Sequence, residues 1–279
     1  MNRDSLESMA LRTGKSLRVG LIGLGSIGLR VAEAIKKGEA GETEVVSALV
    51  RDRAAAAGSA GRLEIRLADS LASLLADRPD IVVECAGHAA LRAHGAVVLR
   101  GGCDLMVVSV GALADDECRR QLEAAARERG TRIYVPSGAI AGLDAVTAAA
   151  TGELDSVTHT VRKNPRAFTT EQLGGHNPAE PAVLYAGPVR AGALLYPENV
   201  NVAAAVSLAG IGLDRTVLRV IADPSVERNI HEVEASGAFG QIRLRVENVP
   251  GPNPKTGRIV PLSVVKALRQ MSSTMVIGV

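Results

Sequence analysis

The feature that most constrains this chain is the change of hydrophobic period between Ser16 and Lys37, SLRVGLIGLGSIGLRVAEAIKK. Leu17 to Ile22 is a short apolar run of strand type, and Gly23, Gly25 and Gly28 supply G-x-G-x-x-G at its end. Beyond them Ile27, Val31 and Ile35 recur every four residues beside small Gly28 and Ala32, as on the buried stripe of a helix. Between a strand and a helix each glycine has a task. Gly23 permits a tight turn, Gly25 lets the backbone approach a pyrophosphate, and Gly28 lets the helix lie close to the strand. The helix N-terminus adds unpaired N–H groups and a partial positive charge, which makes Ser26 and Ile27 candidate cofactor contacts as well. With Thr43–Val50 as a second strand, the stretch reads as a dinucleotide-binding unit for NAD or NADP.

Strand two runs into Arg51-Asp52-Arg53. An acid at this point selects NAD through the ribose 2′-hydroxyl, and an arginine can pair with the 2′-phosphate of NADP. Arg51 with Arg53 nearby favours NADP, Asp52 keeps NAD open, and the expectation is use of both. Leu63–Arg66 reads as a weak strand, Ser70–Ala76 as a short helix and Ile81–Glu84 as a strand buried on both faces. It leads into Cys85-Ala86-Gly87-His88. Strand ends at the carboxyl edge of an open parallel sheet line the ligand crevice, so Ala86 and Gly87 are expected beneath the nicotinamide half. His88 is expected to cap the next helix, with a catalytic role as the alternative, and Glu84 to hydrogen-bond at the strand end. Leu105–Ser109, a helix Ala114–Arg129 and the strand Arg132–Val135 continue the alternation. The fold class is therefore α/β, a Rossmann-type doubly wound parallel sheet.

Past Leu143–Ala150 the rhythm changes to longer strands, Ser156–Arg162, Thr216–Ala222, Val226–Ala235 and Gln241–Glu247, with one strong helix at Val202–Leu213. Such a pattern suits a sheet covered on one face only. The expected division is an extension over 1–16, a dinucleotide domain over 17–142, and a substrate and dimerisation domain over 143–258. A last helix, Leu262–Met271, within 259–279 should return to the first domain. The chain has 279 residues, room for two modest cores. Aromatics at 2% and a net charge of +2 argue against nucleic-acid binding. No apolar run is long enough for a membrane span, residues 1–16 lack a secretory apolar core, and Cys85, Cys103 and Cys118 have neither disulfide nor zinc spacing. A reduced, cytoplasmic protein without a metal is expected.

The chemistry should lie in two further stretches. In YPENVNVAA, Asn199 and Asn201 precede an Ala-rich helix, where an N-cap is one reading of Asn201. In DPSVERNIHEVEA, period two puts His231 on one face with Asn229, Val233 and Ala235. An imidazole among small inward side chains is either a hydrogen-bonded core residue or a general base. His176, in a Gly-Gly-His-Asn-Pro turn, is a weaker candidate for a closing loop.

Taken together, GLIGLGSIG, VVECAGHAA, VVSVGALAD, PSGAIAGLDA, TVRKNP, YPENVNVAAAVSLAG, ADPSVERNIHEVEASGAFG and NPKTG resemble the L-aspartate dehydrogenase family, covering nearly everything from Leu17 onward. Gly257, where the family usually carries Ser, is a departure. The resemblance implies a homodimer that oxidises L-aspartate with NAD or NADP to iminosuccinate. Hydrolysis then yields oxaloacetate and ammonia, the reaction is reversible, and the imine can feed NAD biosynthesis. It implies His231 as the active-site histidine, and Ala139 and Asn201 as cofactor contacts. Arg162, Lys163, Asn199 and Lys255 are candidates to hold the substrate carboxylates. The rivals are another two-domain reductase, related to dihydrodipicolinate reductase (though no adjacent His-His pair is present) or homoserine dehydrogenase, and a non-catalytic dinucleotide sensor.

Overall fold

A computed structural model of the chain describes residues 16–196, 200–249 and 257–278. The expected extension over 1–16, Ser16 apart, lies outside them, as do Asn199 and Lys255. The first half alternates strand and helix: β1 (Leu17–Ile22), α1 (Ser26–Lys36), β2 (Thr43–Leu49), α2 (Arg53–Leu63), β3 (Leu67–Ala68), α3 (Leu71–Ala76), β4 (Ile81–Glu84), α4 (His88–Arg100), β5 (Asp104–Val107), a 3-10 turn at Val110–Ala114, α5 (Asp116–Arg129) and β6 (Ile133–Tyr134). The strands form one parallel sheet in the order β3-β2-β1-β4-β5-β6. Its order reverses at β1 and β4, which opens the crevice at their carboxyl ends.

Strand alternation divides the core between the two sheet faces. From β4, Val82 packs with Leu91, Leu99 and Leu122 of α4 and α5. Ile81 and Val83 turn the other way, to Val31 and Ile35 of α1. The same face takes Val264 and Leu268 from α10 (Ile259–Ser272) at the far end of the chain. Each such side chain, fully buried, is worth about 1.5–3 kcal/mol, so α10 is held to the first sheet by its apolar stripe.

The weak strand expected at Leu63–Arg66 is displaced. Leu63 ends α2, Glu64 turns left-handed with φ 59°, and the strand is Leu67–Ala68, beside Ala48 and Leu49. Asp52 caps α2, accepting from the Ala55 N–H at 3.0 Å.

The second half holds α6 (Leu143–Ala149), β7 (Leu154–Lys163), α7 (Thr170–Leu173), β8 (Ala182–Pro188), α8 (Val189–Leu195), α9 (Val200–Ala209), β9 (Val217–Ala222), β10 (Asn229–Gly237) and β11 (Gly240–Asn248). Its mixed sheet runs β11-β10-β7-β9-β8. Val157, Val233 and Ala235 on the covered face meet Val146 of α6 and Val202 and Val206 of α9. The next residues of α9, Ala203 to Ala205, belong instead to a cluster that holds Leu91, Val110 and Leu122 of the first domain together with Val161, Leu218 and Val220 of the second. Small side chains let this one helix lie between both domains, with its first turn at the crevice.

Candidate active site

The turn after β1 is built for close approach. Gly23 sits at φ +97°, its N–H donating to Leu49 O at 2.8 Å. A Cβ on Gly28 would stand 2.1 Å from Gly23 O, so α1 can approach β1 only with glycine there. Gly25, the N-cap of α1, is the opposite case. It makes no side-chain cap, and a Cβ on it would meet nothing within 4 Å. That open space belongs to a cleft of about 890 Å³ bounded by Gly23, Gly25, Arg51, Asp52 and Ala86. Unpaired N–H groups of the first helical turn face an opening that a side chain would fill, as a pyrophosphate requires. Ser26 starts the helix and is exposed, while Ile27 borders a second, inner cavity.

At the end of β2, Arg51 is exposed on the cleft, and Asp52 lines it while capping α2. Arg53 is drawn away, paired with Asp69 at 2.5 Å and donating to Leu67 O at 3.1 Å. Of the two arginines, only Arg51 stands at the cleft.

Glu84 shapes the floor. One carboxylate oxygen accepts from the N–H groups of Ala86 and Gly87, each at 2.8 Å, and from the Ser109 hydroxyl at 3.0 Å. The other accepts from the Ser109 N–H at 3.1 Å. Burial raises its pKa while these donors oppose the shift, and the loop is clamped with Gly87 at φ +106°. Burial also pushes the Cys85 thiol up, helped by the Glu84 charge, so it is not a nucleophile.

The inner cavity, about 110 Å³, lies between the domains and is lined by Ile27, Ser137, Gly138, Ala139, Lys163, Asn201, Asn229, His231 and Asn248, among others. His231, Lys163, Asn201 and Ala139 are thus brought together. Arg162 is not. The pleat turns it to the opposite face of β7 from Lys163, where it pairs with Asp223 at 2.9 Å. A hydrogen bond from Ser225 and the Arg162 charge hold Asp223 below the usual carboxylate range. His176 is exposed and does not border the cavity.

His88 and Asn201 take tasks other than helix capping. Gly87 is the N-cap of α4. The Asn201 side-chain oxygen accepts from Gly111 N–H at 2.8 Å and lies 3.1 Å from His88 Nε2. A backbone N–H can only donate, so the facing atom is the amide oxygen and His88 carries its hydrogen on Nε2. A Cβ on Gly111 would stand 2.2 Å from Val200 Cγ1 and 2.8 Å from both polar partners. This junction joins the domains at the cavity rim. Asn248, which no motif in the sequence singles out, borders the same cavity and donates to Ala139 O at 2.9 Å.

His231 is buried, and its Nδ1 lies 3.1 Å from Nε2 of His159 on β7, which is fully buried. Although the sequence has no adjacent His-His, neighbouring strands make such a pair in space. Burial, with the neighbouring His159 and the Lys163 charge, lowers the His231 pKa well below its ordinary value. Burial, with Lys163, lowers that of His159 to about 3. Both imidazoles are neutral at neutral pH, as a proton acceptor must be.

A parallel 3-2-1-4-5-6 sheet with an open phosphate turn, joined to a mixed sheet that carries a neutral imidazole to the crevice, defines a two-domain nicotinamide-dinucleotide oxidoreductase. Residues 23–136 match the family model described as homoserine dehydrogenase, NAD binding domain, and residues 144–271 match aspartate dehydrogenase, C-terminal. The L-aspartate dehydrogenase of Ruegeria pomeroyi is 44% identical over 92% of this chain and 93% of its own length. That of Methanocella arvoryzae is 39% identical over 94% and 99%. The solved structure of aspartate dehydrogenase from Thermotoga maritima superposes with a TM-score of 0.76, at 24% identity, over 94% of this chain and 99% of that one. The chain belongs to the L-aspartate dehydrogenase family.

Proposed function

We propose that this chain oxidises L-aspartate with NAD or NADP to iminosuccinate, hydrolysed to oxaloacetate and ammonia, with His231 as general base. The observation that carries the reading is the neutral, buried imidazole of His231 bordering the cavity shared by both domains. Dinucleotide binding is supported by Gly25, whose missing side chain leaves the phosphate approach open. A nicotinamide dinucleotide held there would supply the acceptor for the hydride on the substrate Cα.

The residues do the rest. Lys163 meets a substrate carboxylate, and the Asn229 and Asn248 amides border the same space. Asn199 and Lys255 remain candidates for the second carboxylate. His231 takes a proton from water onto Nε2 as the oxygen bonds to the imine carbon. It then gives that proton to the nitrogen, and as ammonia leaves the freed imidazole takes the hydroxyl proton while the carbonyl forms. Ala86, Gly87, Ala139 and Asn201 would hold the nicotinamide half, and Arg51 with Asp52 would hold the adenosine ribose of either cofactor. A homodimer is part of the same reading, and light scattering of the purified chain tests it.

The test mixes the chain with L-aspartate and NAD or NADP and follows reduced-cofactor absorbance. His231→Ala should lower kcat by roughly 10²–10⁴-fold, with cofactor affinity unchanged. Near-wild-type turnover in that variant removes the role of His231. Turnover with another amino acid but not aspartate removes the substrate.

A further inference from the structure

One buried titratable side chain has no task in this mechanism. His159 is fully enclosed in the second domain, with Nε2 at 3.1 Å from His231 Nδ1. The rings are within 4° of parallel and their centroids are 5.4 Å apart. That separation exceeds the nitrogen–nitrogen distance by about the sum of the two ring radii. The rings therefore lie edge to edge in one plane, the geometry of a linear N–H···N bond. The antiparallel register explains the meeting. His159 is opposite Val233 and His231 opposite Val161, which makes the imidazoles diagonal neighbours on the covered face.

Two neutral imidazoles share one hydrogen across this contact, and its owner decides what His231 can do at its other nitrogen. If His159 donates, His231 carries its hydrogen on Nε2 and cannot take a proton from water. If His231 donates through Nδ1, its Nε2 keeps a bare lone pair for the cavity. A general base needs the second arrangement. His159 Nδ1 is buried with no partner among the described residues. In the second arrangement this enclosed nitrogen carries the single hydrogen of His159.

We propose that His159 is a positioning residue: its Nε2 accepts the Nδ1 hydrogen of His231, fixing the ring plane and leaving His231 Nε2 bare toward the substrate. The proposal rests on His231 being the general base. A neutral partner also differs from the carboxylate that commonly orients a catalytic histidine. No anion among the described residues holds the proton on His231 once it is taken, so the imidazolium gives it up readily to the departing nitrogen.

The experiment uses the full chain and the variants His159→Phe and His159→Gln. Phenylalanine keeps ring bulk and removes the acceptor, while glutamine places an amide oxygen near the same point. His159→Phe should lose about 10- to 100-fold in kcat, the scale of an orienting hydrogen bond. KM for aspartate and the affinity for reduced cofactor should stay within about twofold, and His159→Gln should recover most of kcat. Nitrogen NMR of histidine-labelled protein, with the His231 signals assigned by their loss in His231→Ala, reads the tautomer without turnover. His231 should carry its hydrogen on Nδ1 in the wild type and in His159→Gln. Equal kcat in all three proteins overturns the proposal, as does a wild-type His231 protonated on Nε2. If His159→Phe does not fold, the wild-type spectrum and the glutamine variant decide in the same terms. If aspartate is not turned over at all, the functional reading fails while the tautomer still stands or falls on the spectrum.

Discussion

One carbon added at Gly28 and one added at Gly25 should damage different properties of this chain. At Gly28 the new Cβ would lie 2.1 Å from Gly23 O, more than an ångström inside ordinary contact. That carbonyl cannot retreat cheaply. Gly23 is tied to Leu49 by its N–H at 2.8 Å and is held at φ +97°, and a Cβ on it would touch Ala86 at 3.0 Å. Overpacking costs about 1–3 kcal/mol, offset by roughly 1 kcal/mol of helix propensity that alanine gains over glycine. The net loss for Gly28→Ala is up to about 2 kcal/mol, or a Tm lower by up to about 8 °C. At Gly25 nothing lies within 4 Å and φ is −76°, which any residue adopts. Gly25→Ser also supplies a good N-cap, so the free protein should melt at or above the wild-type temperature. The new side chain fills the phosphate approach. Losing one charge-assisted N–H···phosphate bond, about 1.5–3 kcal/mol, weakens cofactor binding about 10- to 150-fold. Thermal melts of the free proteins and fluorescence titration with NADH and NADPH measure both effects. A Gly28→Ala protein that melts above wild type, or a Gly25→Ser protein that binds cofactor normally, would refute the geometry argued for this turn.

Two further outcomes follow from the site. His159 and His231 are neutral in the fold with lowered pKa values, and in the unfolded chain they protonate near pH 6.5. Stability from each is complete above that pH and is lost as pH falls toward the folded value; for His159, with a folded value of about 3, the loss is about 2 kcal/mol between pH 6.5 and 5. His159→Gln should therefore lose about 2 kcal/mol less than wild type over that interval in urea unfolding at fixed protein concentration. Parallel losses would show that His159 is not held neutral. Comparing the two proteins cancels Glu84, whose raised pKa acts with the opposite sign. Separately, Arg51→Ala should weaken NADPH binding by about 5- to 30-fold and leave NADH unchanged, the worth of one or two exposed hydrogen bonds to the 2′-phosphate. Equal effects on both cofactors would mean that Arg51 does not distinguish them.

The first sheet was legible in the sequence because its signals are local. The glycine motif, the apolar run at Ile81–Glu84 and the change of period at Ile27 each lie within a few residues of the structure they specify. Helix α2 is not legible because it is mostly Ala and Gly with only Ala60 buried, leaving no apolar stripe to read. Strand β8 escaped because it is an edge strand, half-exposed and ending in Gly187-Pro188. At the site, His231 stood out through its apolar same-face neighbours. His159 sits between Thr158 and Thr160, and its inward direction depends on pairing with a strand 72 residues away. Arg162 and Lys163 make the same point. Adjacent residues of one strand face opposite sides, so one of the two cations had to leave the cavity, and composition is indifferent to which. What decides is that α6 and α9 cover the face carrying Val157, Val161 and Lys163. That in turn depends on Ala203 to Ala205 being small enough for α9 to lie against both domains. The orientation of the cation, the pairing of the histidines and the seat of Asn201 against Gly111 are thus consequences of one helix packing, which appears in the sequence only as a run of alanines.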